Sequence, residues 1–312
     1  MYRNGYLLRP LVLIASLGLV LSLLLPAINW ARESARADEC TDKLHKLALG
    51  FHAYNDAKNL LPPGEAGHSN GVFAFCQPYM EMDDTAQKLV AEIETWLDHD
   101  KEPGSGEGWW VSDATWAICS ETFPIYICPA ADTDAMNKAP RDIASARYAI
   151  VEKQVSLTVE MVKTENERLN AGLSTYATSA GVCGHLKVER LGRTGSFGDH
   201  RQGIFTTDRK MTVDRVLDGM SNTLAIGEYL GFNNDGGWKR RPTWPGAISI
   251  WTAQPIAKSA EEAHWGQFSS FHEGIVNFAF GDAAVRPLKN DIDLNVLRDL
   301  SGIRDGVKVE IK

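Results

Sequence analysis

Eight histidines, five cysteines and a few oxygen-rich turns are the residues with chemistry to offer, and their spacing limits what that chemistry can be. His272 opens Phe271-His272-Glu273-Gly274, the most site-like group in the chain, but the residues that follow do not complete the H-E-x-x-H zinc signature. Its simplest role is a backbone hydrogen bond at the entry to a hairpin, with Asp282 as a weak companion for ligand binding. His45 and His52 would share one face of a helix, where no carboxylate completes a metal triad. Ser221 lies in Gly219-Met220-Ser221-Asn222-Thr223, which lacks the last glycine of a nucleophile elbow and reads as a structural turn. Asn233, Asn234 and Asp235 offer oxygens suited to Ca2+, without EF-hand spacing. There is no phosphate-binding glycine loop and no paired-carboxylate pattern. No catalytic residue, cofactor or metal is therefore expected. The cysteines, Cys40, Cys76, Cys119, Cys128 and Cys183, form no C-x-x-C pair, which argues against zinc ribbons and thioredoxin-like centres. In an oxidising space they allow one or two bridges with a thiol left over.

The elements that must carry these residues begin with a membrane segment. Leu11 to Ile28 is an 18-residue run without charge, about 27 Å long as a helix and close to a bilayer core in thickness. Residues 7–28 are the expected lipid contact, with Arg9 snorkelling and Trp30 at the interface. A cleaved signal peptide is the competing reading, but the apolar run is long and no clean A-x-A site follows it. Beyond Ala27 the chain has no Gly or Pro through Ala48, and Cys40, Leu44, Leu47, Phe51 and Tyr54 recur at helical spacing until Pro62-Pro63-Gly64. The pattern suits one helix of about 50 residues, apolar in its first half and amphipathic in its second, or two helices broken near Pro26; either way the second half has one face to bury.

Further on, Thr85 to Trp96 and Val155 to Leu169 read as helical, and Ile125-Tyr126-Ile127 as a strand. Trp109, Trp110 and Trp116 read as core rather than as a sugar platform. A short strand is expected within Ser174 to Thr178. Thr212 to Leu217 reads as a short capped helix, and Thr223 to Gly227 as a strand. Ile275 to Phe280 and Ala283 to Arg286 form a hairpin through Gly281-Asp282, followed by a closing helix from Asp293 to Leu300. The net charge of −8 leaves no basic excess for phosphates, so nucleic acid is not an expected partner. Helix first and strands later, with few βαβ alternations, indicates α+β with a mainly antiparallel sheet.

Four ordered blocks carry a resemblance. The first runs from Leu23 through Pro26-Ala27, Ala31-Arg32-Glu33, Cys40, Leu44, His52, Tyr54 and Asp56 to Pro62-Pro63-Gly64. The others are Ile125 to Pro129, Val213 to Glu228, and Ser270 to Gly274 with Asn277 to Asp282. Together they resemble the DUF1559 (SBP_bac_10) family, bacterial proteins related to type IV pilins and type II secretion pseudopilins. The resemblance implies a pilin-like α+β fold, with the long helix laid across the sheet and with insertions. It implies a non-enzymatic envelope protein acting in assembly, secretion or surface binding, with other pilin-like or secretion-system subunits as partners. It covers Cys40 and Cys128 and leaves Cys76 and Cys119 as additions, so bridges are expected within each pair and Cys183 free. The departure is at the front. Matching Pro26 places Arg9, or with a one-residue shift Pro10, where pilins carry a glutamate. A permanent anchor rather than a processed prepilin leader is expected. The reading is thus residues 1–30 as anchor and 31–312 as an extracytoplasmic domain, single-pass in the cytoplasmic membrane with the N-terminus inside. A second reading is a tethered hydrolase or ligand-binding enzyme using His272 with Asp282 or Ser221. It requires those side chains to converge in an open pocket.

Overall fold

A computed structural model describes residues 5–66, 69–80, 108–110, 113–139, 142–151, 154–161, 170–182, 202–205, 211–234, 237–303 and 306. Its first element is one unbroken helix, α1 (Gly5–Lys58). The stop is local: Asn59 takes a positive φ of 56°, a conformation Asn tolerates better than most residues. Pro10 and Pro26 are both accommodated within α1.

The two halves of α1 differ in what they touch. Leu13, Ile14, Leu17, Leu25 and Trp30 are exposed, and the best 18-residue window has a mean hydropathy of 2.0 with none of it buried. By contrast Cys40, Leu44, Leu47, Phe51 and Tyr54 are at most 2% exposed. This is the apolar stripe read from the spacing. Each large side chain on it contributes about 1.5–3 kcal/mol by leaving water.

The stripe packs on a mixed sheet with the order β2-β1-β6-β3-β4-β7-β8, in which β5 pairs with β6. The strands are β1 (Asp142–Val151), β2 (Gln154–Met161), β3 (Tyr176–Ser179), β4 (Leu224–Glu228), β5 (Phe232–Asn234), β6 (Gly237–Ile250), β7 (Ile275–Phe280) and β8 (Val285–Lys289). Most pairings are antiparallel; β6 pairs in parallel with β1 and β3. The class is α+β. Strand β7 is covered on both faces. Val276, Phe278 and Phe280 belong to one apolar layer with Leu297 of the closing helix and Leu300 just past its end, and Ala279 belongs to the layer of α1. The closing helix (Leu294–Asp299) is capped by Asp293, whose carboxylate accepts from the backbone N–H groups of Asn295 and Val296. Trp109 and Trp110 are buried core, as their density predicts.

Three local readings are corrected. Ile125-Tyr126-Ile127 is not a strand: Pro124 to Tyr126 is a 3-10 turn, started by a proline whose fixed φ suits a first helical position. Gln154 to Met161 is strand β2 rather than helix, because β1 supplies an antiparallel partner along its length. Thr212 to Leu217 contains only a 3-10 turn, and Thr212 makes no side-chain cap. The helical reading of Thr85 to Trp96 lies outside the described residues.

Candidate functional site

Four segments distant in sequence meet where α1 leaves its exposed half. Cys40 comes from α1, Cys128 from the 3-10 turn and Cys-Pro segment, Glu228 from the last position of β4, and His272 from the loop before β7. One ligand-type atom from each lies within 4.8 Å of every other. None of the four residues is more than 6% exposed.

Each is held by its element. The Cys128 backbone N–H donates to Thr175 Oγ1 at 2.7 Å, next to β3. Lys43, one turn along α1 from Cys40, donates to the Ile127 carbonyl at 2.9 Å. Glu228 is fixed twice: its carbonyl accepts from the Ser269 N–H at 3.0 Å, and its Oε2 accepts from the Asn277 N–H of β7 at 2.7 Å. The His272 N–H donates to Ser270 Oγ at 2.9 Å. Its ring Nδ1 donates to Glu33 Oε1 of α1 at 2.7 Å. A carboxylate only accepts, so Nδ1 carries a proton in this contact. Nε2 then points inward, 3.2 Å from Cys40 Sγ, 3.4 Å from Cys128 Sγ and 3.5 Å from Glu228 Oε1. Cys40 and Cys128 form a disulfide, with Cα atoms 5.2 Å apart.

The electrostatics follow from the burial. Glu228 Oε1 is buried without a hydrogen-bond partner, as is the Tyr176 hydroxyl on the paired residue of β3. Burial pushes the Glu228 carboxyl above its usual range; the His272 ring and the Asn277 N–H oppose the shift.

The remaining candidates lie elsewhere. His272 precedes β7 and Asp282 follows it, so about 20 Å of strand separates them. Asp282 is exposed and accepts from the Ala284 N–H in the hairpin turn. Ser221 is exposed in a 3-10 turn at that same far end, where the Met220 carbonyl meets the Asp282 N–H. His272 therefore does not converge with Asp282 or Ser221, and no site forms from that set. Asn233 and Asn234 lie in β5, paired with Trp238 and Gly237 of β6, rather than in a loop; Asp235 is outside the described residues. His45 Nδ1 and His52 Nε2 each sit 2.8 Å from a carbonyl of the hairpin turn, those of Ala283 and Gly281. They clip α1 to the turn.

Cys76 and Cys119 are free, which corrects the second expected bridge. Cys76 packs in the layer beneath α1, and Cys119 packs with the tryptophans in a separate cluster. Cys183 lies outside the described residues. Sequence reasoning missed Glu33 and Glu228 as site residues. Both stood inside the quoted blocks, but nothing in their neighbours marked them.

The protein-family model described as "Protein of unknown function (DUF1559)", SBP_bac_10, matches residues 29–295. The chain belongs to the DUF1559 family. The DUF1559 match begins at Asn29, just past the apolar run, and takes in Glu33 and all four clustered residues. Neither curated proteins nor solved structures gave a match.

Proposed function

We propose that this DUF1559 protein is a non-enzymatic envelope module of pilin-like plan, acting in assembly, secretion or surface binding. The first half of α1 crosses the cytoplasmic membrane once, with the N-terminus inside and residues 31–312 outside. The observation carrying this reading is α1 itself: one continuous helix, bare and apolar in its first half and packed on the sheet in its second. An apolar surface of that size is costly in water and at home in lipid. The Cys40–Cys128 disulfide supports an oxidising compartment for the domain. Against enzymatic use of His272 stands its distance from Asp282 and Ser221.

Pilin subunits use a carboxylate near the front of the apolar segment to pair with a neighbour's amino terminus. Arg9 or Pro10 occupies the matching position here. Arg9 repels an amino terminus and Pro10 carries no charge, so the chain stays in the membrane as an anchor. The test joins a topology reporter to each end and treats membranes with alkaline carbonate. An active extracytoplasmic reporter at the C-terminus, with retention in the carbonate pellet, is expected. A cytoplasmic C-terminal reporter, or release by carbonate, overturns it. Intact mass reads processing separately: a mature chain starting at Tyr6 would restore a filament subunit as the better reading.

A further inference from the structure

The cluster of Cys40, Cys128, Glu228 and His272 brings four ligand-type atoms to one place. With Nδ1 turned to Glu33, Nε2 of the ring faces inward. It faces two disulfide sulfurs, which carry no proton, and a buried carboxylate oxygen that has no hydrogen-bond partner. Four atoms of the kinds that ligate metals, from four segments, thus lie within 4.8 Å of one another in a buried place.

We propose that the dithiol form of this cluster binds Zn2+, with Cys40 Sγ, Cys128 Sγ, His272 Nε2 and Glu228 Oε1 as the four ligands. The donor set fits that ion: two thiolates, one imidazole and one carboxylate in tetrahedral array. Around a tetrahedral zinc with bonds of about 2.0–2.3 Å, neighbouring ligand atoms stand roughly 3.3–3.8 Å apart. Nε2 already lies 3.2–3.5 Å from the other three atoms. The two sulfurs, now bonded to each other, must move apart, and both stand within 4.8 Å of Glu228 Oε1. The groups behind two of the ligands are also in place. Glu33 holds Nδ1–H and so presents Nε2, as carboxylates do behind metal-bound histidines. The Asn277 N–H takes Glu228 Oε2 and leaves Oε1 to the centre.

Disulfide and zinc are alternative occupants of the same place. A dithiol reductant gives two electrons and two protons to the Cys40–Cys128 bond, yielding two thiols and the oxidised reductant. Binding Zn2+ then releases two protons from those thiols. In reverse, a disulfide oxidant takes two electrons from the zinc-bound thiolates. The Cys40–Cys128 bond forms, Zn2+ leaves, and the oxidant's two sulfurs pick up two protons as thiols. Either occupant ties α1 to the Cys-Pro turn, so the link survives a change of redox state. The inference does not depend on the membrane topology proposed above.

The experiment uses the full-length chain in detergent, oxidised or reduced with a non-thiol phosphine, dialysed against Zn2+ and assayed for bound metal. Co2+ in place of Zn2+ reports thiolate ligation by its charge-transfer absorption. The reduced chain is expected to retain about one Zn2+ that the oxidised chain lacks, in line with a single four-ligand site. Glu228→Gln and His272→Gln should each weaken binding by at least tenfold, and Glu33→Gln, which touches only the outer nitrogen of His272, by about 10–100-fold. Near-ultraviolet circular dichroism shows whether each sample is folded. Equal zinc retention by a Cys40→Ser/Cys128→Ser variant, or a Co2+ spectrum without thiolate bands, overturns the proposal. So does a reduced chain that loses its tertiary signal and does not regain it with zinc.

Discussion

Leu47 and Leu49 stand two residues apart on α1, one 1% and the other 47% exposed, and the pair tests whether the second half of this helix holds the domain together. Truncating Leu47 to Ala removes a side chain from the layer shared with Phe51, Tyr126 and Trp244. Transfer and cavity terms together cost about 2–5 kcal/mol at such a site. For a domain of this size, roughly 2–4 °C of melting temperature is lost per kcal/mol, so a drop on the order of 5–20 °C is expected. Leu47→Asp adds the burial of a carboxylate with no partner, several kcal/mol more. The total reaches about 5 kcal/mol or beyond, within the whole margin of a typical domain, and the folded chain should not accumulate. Leu49→Ala keeps good helix propensity and removes a half-exposed side chain, so its cost should stay within about 1 kcal/mol. The assay is thermal unfolding of the detergent-solubilised full chain, followed by near-ultraviolet circular dichroism of the buried tryptophans. Equal shifts for Leu47→Ala and Leu49→Ala, or no shift for Leu47→Ala, would refute the docking of α1 through this stripe.

Reducing the Cys40–Cys128 bond with metal excluded frees a loop whose ends are 88 residues apart, and the reduced chain should be less stable by about 4–5 kcal/mol in denaturant melts. The Arg241 guanidinium, 1% exposed, reaches Asp142, the Asn137 side chain and the Ala171 carbonyl. Arg241→Leu strands the buried Asp142 carboxylate and should cost about 3–5 kcal/mol, whereas Arg241→Leu/Asp142→Asn should recover part of that loss. His45→Ala and His52→Ala each remove a contact to the hairpin turn and should cost about 1 kcal/mol apiece; faster native proteolysis near residue 282 is the readout. Burial pushes the thiols of Cys76 and Cys119 well above their usual range. Peptide mapping should therefore find both unlabelled by maleimide in the native chain and labelled after denaturation.

What could be read from sequence was whatever a single segment determines. The stripe from Cys40 to Tyr54 and the apolar run of Ile275 to Phe280 before Gly281-Asp282 are local signals, and both became the elements they indicated. The closing helix expected from Asp293 to Leu300 is present as Leu294–Asp299. Gln154 to Met161 was misread because its charges suit a helix, while its state is set by β1 across the ladder. The site was half legible for the same reason. His272 stood out by its neighbours, and Cys40 and Cys128 by the blocks that contain them. Glu228, by contrast, closes a strand of the sequence LAIGE and is a ligand-type residue only because β7 and the His272 loop fold against it. Asp282 was set beside His272 by closeness in sequence, which an extended strand turns into separation in space.

The unbroken course of α1 has a mechanical consequence. Fifty-four residues form a rod about 80 Å long, and no loop between the lipid-suited half and the docked half can act as a swivel. With the first half seated in a bilayer, the domain inherits its inclination. From the middle of that span to His52 the lever arm is about 48 Å, so a tilt of roughly 20°, ordinary for membrane helices, carries the docked end sideways by about 16 Å. A change of tilt would thus change how far the hairpin turn leans from the membrane normal, and with it which face of the sheet a neighbour can reach.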